Sequence, residues 1–344
     1  MRWITMLALL AGVALPAAAS AAPATRVGGD YVYQGAIDLG APGSWDYGSF
    51  DLASGRLLIG HRDRIDAVDP ATGKVVGSVT GLNEAHGAAA DDAIGRGFAT
   101  SGGDGVLREF SLTDFSIVKD IPIAPDVDGI VFDPGTGQVL VAVGDGKQLV
   151  IVDAKSATIA DKVDLPGAPE FVAADGAGKA FVNLASTGQL AKVDIASGKL
   201  DAVWPLDGCK SPHGLGYDHH THRLFAGCAN GVVVAVDPAN GKLLATLTAA
   251  PFNDAILIDE TRGRVFCPNG FGTLTVIQEG PGDSYRVERT VPTFLGARSG
   301  ALDPHTGTLY LTFGNSQIKT GPRDPAGLTF SFAGAKVAIF TPND

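Results

Sequence analysis

Apolar positions come in short runs, each followed by a cluster of Gly, Asp, Pro, Ser or Thr. Val139-Leu140-Val141-Ala142-Val143 and Leu149-Val150-Ile151-Val152 are two such runs, separated by a turn that contains Gly144 and Gly146. Brief β-prone stretches punctuated this way predict strands joined by tight turns. The turns repeat. Asp51, Asp91, Asp133, Asp175, Asp218, Asp259 and Asp303 end one series of runs, at spacings of 40, 42, 42, 43, 41 and 44. Asp69, Ser111, Asp153, Asp194 and Asp237 end another, at spacings of 42, 42, 41 and 43. Asp and Pro favour the first positions of a turn and Gly supplies positive φ, so Asp133-Pro134-Gly135-Thr136-Gly137 and Asp237-Pro238-Ala239-Asn240-Gly241-Lys242 read as hairpin turns.

A period near 42 with four short strands per unit predicts an all-β, seven-bladed β-propeller. Helical arrays of similar period need apolar periodicities of 10–15 residues, for which these turn signals leave little room. The last unit ends with a third strand over Lys336 to Phe340. The run Tyr31 to Leu39, ahead of the first full unit, is the expected fourth. Pairing the two chain ends in one blade closes the ring and removes open sheet edges. The final unit also carries an insertion, residues 315–328, polar over Asn315 to Pro325.

The first 22 residues follow a different rule. Arg2, an apolar stretch from Trp3 to Leu15, and Ala19-Ser20-Ala21 at the end have the form of a secretory signal peptide, too short to span a bilayer. Residues 23–344 are then one exported propeller domain, periplasmic or extracellular, with no membrane anchor after cleavage. Of the 344 residues, 45% are hydrophobic and 18% charged, which excludes a disordered chain. The net charge of −11 disfavours nucleic acid as a partner, since phosphate binding needs clustered Lys and Arg. The one candidate basic patch is Arg62, Arg64 and Lys147.

Patterns of the type Asp-Pro-x-Thr-Gly, the Val-Val-Asp-type strand ends, and the stretch from Cys209-Lys210-Ser211-Pro212-His213-Gly214 to Cys228-Ala229-Asn230 resemble the YncE-like, YVTN-repeat family of secreted seven-bladed propellers. So does Gly272-Thr273-Leu274-Thr275-Val276-Ile277. The resemblance runs over residues 31–341. It implies the fold and export, and little about activity, because propellers host enzymes, binding proteins and scaffolds alike.

Candidate chemistry lies at one repeat position. Five residues before each turn Asp stand Asp46, His86, Asp128, Glu170, His213, Asp254 and Arg298. The first strand of each propeller blade lines the central channel, so these seven titratable groups are expected to ring one mouth. His86, Asp128, Glu170 and His213 come from consecutive blades and offer donors suited to a divalent metal such as zinc, manganese or iron. Arg298 can pair with a carboxylate or hold an anion. His86 or His213 can serve as general base. A water-filled polar channel without chemistry accounts for the same pattern.

Three Cys are present. Antiparallel pairing about a turn near His220 places Cys228 opposite His213 with Cys209 just upstream. A Cys209–Cys228 disulfide is therefore expected in an exported protein, the alternative being two buried thiols. Cys267 reads as a buried packing residue. The run His219-His220-Thr221-His222 falls in an exposed turn at the far end of the strand from His213. Gly102-Gly103-Asp104-Gly105 reads as a hairpin, and no G-x-S-x-G or Walker-type motif occurs. The expected function is a scaffold binding a protein or small-molecule ligand at the channel mouth. A metal-assisted lactonase, hydrolase or lyase at the same place is the alternative.

Overall fold

The repeated aspartates fold the chain locally by the same device each time. In the first series the carboxylate accepts a backbone N–H two or three residues on: Asp51 from Ala53 at 3.1 Å, Asp133 from Gly135 at 3.2 Å, Asp218 from His220 at 2.7 Å and Asp303 from His305 at 2.9 Å. Asp69, Asp153, Asp194 and Asp237 do likewise in the second series. Each such Asx turn reverses the chain without help from distant residues, so every unit can build its own antiparallel hairpins.

The computed structural model describes residues 30–40, 43–320, 328–331 and 334–343. The expected signal peptide, residues 1–22, and part of the insertion, residues 321–327, lie outside them. The described residues form seven four-stranded antiparallel sheets and one separate two-stranded hairpin. Blade one consists of Gly48–Asp51, Arg56–His61, Arg64–Asp69 and Lys74–Thr80, from the inside outwards. Blades two to six repeat that order. Their inner strands are Ala85–Asp91, Val127–Asp133, Pro169–Ala174, Pro212–Asp218 and Leu257–Asp259.

Blade seven is assembled from both chain ends. Its order is Gly300–Asp303, Thr308–Phe313, Lys336–Asn343 and then Asp30–Asp38. This is the expected closure, with the third strand running three residues beyond Phe340. The N-terminal strand also reaches the neighbouring blade: the Tyr31 ring meets Phe266 at 4.9 Å and Tyr33 meets Phe294 at 5.3 Å. The insertion, read from sequence as an extra polar loop, carries the strand Gln317–Thr320, which pairs with Leu328–Ser331 at and beyond its end.

Burial follows from stacking sheet against sheet. The second and third strands are buried nearly throughout, as in Gln138–Val143 and Gln148–Asp153, because a neighbouring blade covers each face. Only the outer strands alternate with solvent, as in Thr158–Asp164. Between the blades lie the fully buried rings of Phe98, Phe110, Phe181, Phe225, Phe266 and Phe340. Among the described residues no helix is long and apolar enough to cross a membrane.

Cys209 and Cys228 form the expected disulfide, and Cys267 is a buried free thiol. Unfolded, unreduced protein should therefore show one reactive thiol by mass after alkylation, rising to three on reduction. The bridge joins positions 19 residues apart. Replacing both cysteines by Ser should lower the unfolding free energy by about 3 kcal/mol in urea titrations, from loop-closure entropy.

Candidate functional site at the channel mouth

The seven ionisable residues do come together, and each is linked to the next around the ring. His86 Nδ1 lies 2.7 Å from Asp46 Oδ2 and 3.3 Å from Asp128 Oδ1. The Asp128 and Glu170 carboxyls share a hydrogen bond. His213 Nδ1 lies 3.7 Å from Glu170 Oε1 and 3.3 Å from Asp254 Oδ1. Arg298 Nε donates to Asp254 Oδ2 at 2.8 Å, and its charge also acts on Asp46 across the closing step. The belt is thus two carboxylate–imidazole–carboxylate clips, completed by one guanidinium.

Backbone geometry fixes where these side chains stand. Tyr47 N donates to the His86 carbonyl at 3.0 Å, and Asp254 N to the Arg298 carbonyl at 3.1 Å, each bond crossing from one blade to the next. Ser299 Oγ donates to the Asp46 carbonyl at 2.7 Å, which ties blade seven to blade one. The Asn183 amide donates to the carbonyls of His213 and Gly214 at 3.1 and 2.9 Å. His213 Nε2 is held by Ser211 Oγ at 3.1 Å, and Ser211 sits two residues from the disulfide at Cys209. His86 packs over Gly102, where a Cβ would fall 2.6 Å from its Nε2, so that hairpin glycine makes room for the imidazole.

Electrostatics follow from this packing. Burial alone would lower both histidine pKa values. For His86 the hydrogen bond to Asp46 and the charges of Asp46 and Asp128 outweigh burial and raise it to about 9. For His213 the bond to Asp254 and the charges of Glu170 and Asp254 do the same, again to about 9. Burial pushes Asp128 well above the carboxylate range, and it raises Glu170. Asp254 is lowered, because Arg298 and His213 overcome its burial. Both shifts favour a proton held between the Asp128 and Glu170 carboxyls. The belt sets four acidic side chains, Asp46, Asp128, Glu170 and Asp254, among three basic ones, His86, His213 and Arg298. Charges removed from water are tolerated when paired in this way.

Two expectations meet this geometry. The raised values favour the protonated, donor form of His86 and His213 in the metal-free belt, which works against the expected general-base role. The four residues expected to share a metal divide between the clips. The compact group is Asp46, His86 and Asp128, whose donor atoms lie within 4.8 Å of one another, while Glu170 and His213 face Asp254. In the His-rich turn, His219 pairs with Glu260 at 2.8 Å and His222 Nδ1 lies 3.2 Å from the Tyr217 hydroxyl, so the histidines do not converge. In the basic patch, Arg64 is taken up by Asp63 and Asp66 at 2.9 and 3.0 Å.

The sequence reading missed Tyr47. Carboxylates from four blades, Asp128, Glu170, Asp46 and Asp254, act on its phenol, which places the ring near the axis. Burial first, then those charges, raise its pKa well above 10, so it is a neutral hydroxyl amid the belt. Tyr47 meets Phe171 at 4.9 Å, an aromatic pair across the channel. The signal was present: both residues directly follow a belt position, where the other blades have Gly, Ala or Ser. Phe313 and Lys336, at the roots of the insertion, pair with each other on this same face.

Fold and site together define a seven-bladed β-propeller with a belt of paired acidic and basic side chains at one mouth. Residues 61–278 match the family model PQQ_2, described as outer membrane protein assembly factor BamB, and the chain belongs to that family. No curated protein matches in sequence. Among solved structures, the chain is similar to Kuenenia stuttgartiensis hydrazine synthase, with TM-score 0.69 and 15% identity over 88% of this chain and 99% of that one. It is also similar to U3-55K, with TM-score 0.74 and 11% identity over 89% and 98%. At such identities the likeness is one of fold.

The belt predicts a pH dependence. Both histidine values lie above the unfolded value near 6.5. Their contribution to stability is thus complete below about pH 6.5 and is lost as pH rises through about 9, by at most ~3 kcal/mol each. Urea midpoints should fall over that window, and His86→Gln should flatten the fall. Imidazole NMR should show neither belt histidine titrating between pH 6 and 7.5.

Proposed function

We propose that the protein is an exported, YncE-like β-propeller, residues 23–344, that binds a protein or polar small-molecule partner through its channel-mouth face. The observation that carries this reading is the belt itself. Seven blades each supply an ionisable side chain to one mouth, and acidic and basic members pair around the axial hydroxyl of Tyr47. Such a surface offers imidazolium, guanidinium and carboxylate groups already oriented by neighbouring blades, so little ordering is needed on binding. The signal-like residues 1–22 support a periplasmic or extracellular location. The family description, naming an outer membrane assembly factor, is in keeping with export. The test is a pull-down from periplasmic extract with purified protein and with Glu170→Ala/His213→Ala. A partner held by the first and lost from the second is expected. Equal recovery by both, together with no hit for wild type in a thermal-shift metabolite screen, would count against the reading.

The trio Asp46, His86 and Asp128 favours a second reading, a metal-assisted lactonase, hydrolase or lyase. One imidazole and two carboxylates would leave further coordination positions for water or substrate. Elemental analysis of untagged protein grown with zinc, manganese, calcium and iron should then give one equivalent of metal, absent from His86→Ala. No stoichiometric metal in wild type would overturn it.

A further inference from the structure

The opposite end of the channel has another character. A cavity of about 350 Å³ opens there, walled by residues that flank the turn aspartates of blades one, five, six and seven. Phe50 and Leu52 flank Asp51, Tyr217 precedes Asp218, Ile258 precedes Asp259 and Leu302 precedes Asp303. The two aromatic walls are backed by parallel rings: Phe50 stacks on Tyr310 at 6.1 Å and 9°, Tyr217 on Phe181 at 5.9 Å and 11°. They are therefore preformed rather than assembled on binding. Leu52 is 55% exposed, a large apolar side chain turned to solvent at the rim.

One polar pair stands in this apolar wall. Glu260 Oε1 accepts from both the backbone N–H and the Nδ1 of His219, at 2.9 and 2.8 Å. Both bonds fall on Oε1 rather than Oε2. Apart from its partner His219, no basic side chain lines the cavity, and Glu260 is the one carboxylate among the lining residues. Apolar walls with a few converging polar groups are the usual form of a small-molecule site, and aromatic faces attract cations.

We infer that this cavity binds a small organic cation, an ammonium group carried on one aromatic or branched aliphatic body. The body lies between Phe50, Tyr217 and Leu302, and the ammonium donates to Glu260 Oε2. The inference does not rest on the reading of the other mouth.

The test uses benzylammonium, benzyl alcohol and benzoate, titrated into the whole protein at pH 7 with ligand-observed NMR. Benzylammonium should bind saturably and about tenfold more tightly than benzyl alcohol, as a charge-assisted bond implies, with benzoate weakest. Glu260→Gln should abolish the preference for the cation while keeping the weak binding of the alcohol. Leu52→Arg, at an exposed position that any folded variant tolerates, should abolish benzylammonium binding. Absence of saturable benzylammonium binding to wild type, equal affinity for benzoate, or an unchanged preference in Glu260→Gln would each overturn the inference.

Discussion

Everything at the channel depends on the pairing of Asp30–Asp38 with Lys336–Asn343. Each blade is stable only when a neighbour covers both its faces. An open ring would expose the apolar faces of two terminal blades. Building one blade from both chain ends makes closure a matter of antiparallel hydrogen bonds rather than of packing alone. The register is long, running from Asp30 opposite Asn343 to Asp38 opposite Lys336, with a single bulge between Tyr33 and Gly35. Tyr31 and Tyr33 extend the seal onto blade six through Phe266 and Phe294. Once the circle closes, the inner strands have no freedom to separate, and their starting residues are held close enough to pair.

That confinement explains the composition of the belt. Seven side chains brought together at partial burial cannot all carry one sign, since each unpaired charge would bear a desolvation cost. The observed sequence alternates, with an imidazole between acids in blades one to three and again in blades four to six, and Arg298 at the closing step. The place where two acids meet, Asp128 and Glu170, is where burial raises both carboxyls and favours keeping a proton. Removing one member leaves its neighbours uncompensated, so the energetics of the belt belong to the set and single substitutions will not add.

The sequence disclosed the architecture well because the fold is a repeat: turn chemistry recurs every 40 to 44 residues, and seven recurrences outweigh any irregular one. It disclosed the belt for the same reason, through a fixed offset of five from the turn aspartates. The disulfide followed from an approximate strand register: Cys228 pairs with Pro212, one residue from the expected His213. What periodicity cannot convey is contact. Four consecutive blades suggested one metal set, whereas the side chains sort into two clips according to which carboxylate each imidazole reaches. Protonation was equally hidden, because it depends on burial and on neighbours far apart in sequence. Tyr47 escaped notice because it lies one position off the ionisable series, although the departure from a small residue was visible. The hairpin within the insertion was lost in a stretch whose turn residues outnumber its apolar ones.

The two ends of the channel are chemically unlike for a reason rooted in the inner strands. At the belt end the strands emerge beside inter-blade loops, and their first residues can reach one another across the axis. At the far end each strand stops at an Asp whose carboxylate is consumed by its own turn, as at Asp51, Asp218, Asp259 and Asp303. Those acids are therefore withdrawn from the channel. The residues beside them, Phe50, Leu52, Tyr217, Ile258 and Leu302, are left to face it. Between the ends, Tyr47 and Phe171 lie in contact, so apolar walls on one side and paired charges on the other meet at an aromatic boundary. A turn motif selected for folding thus also decides which mouth is charged and which is not.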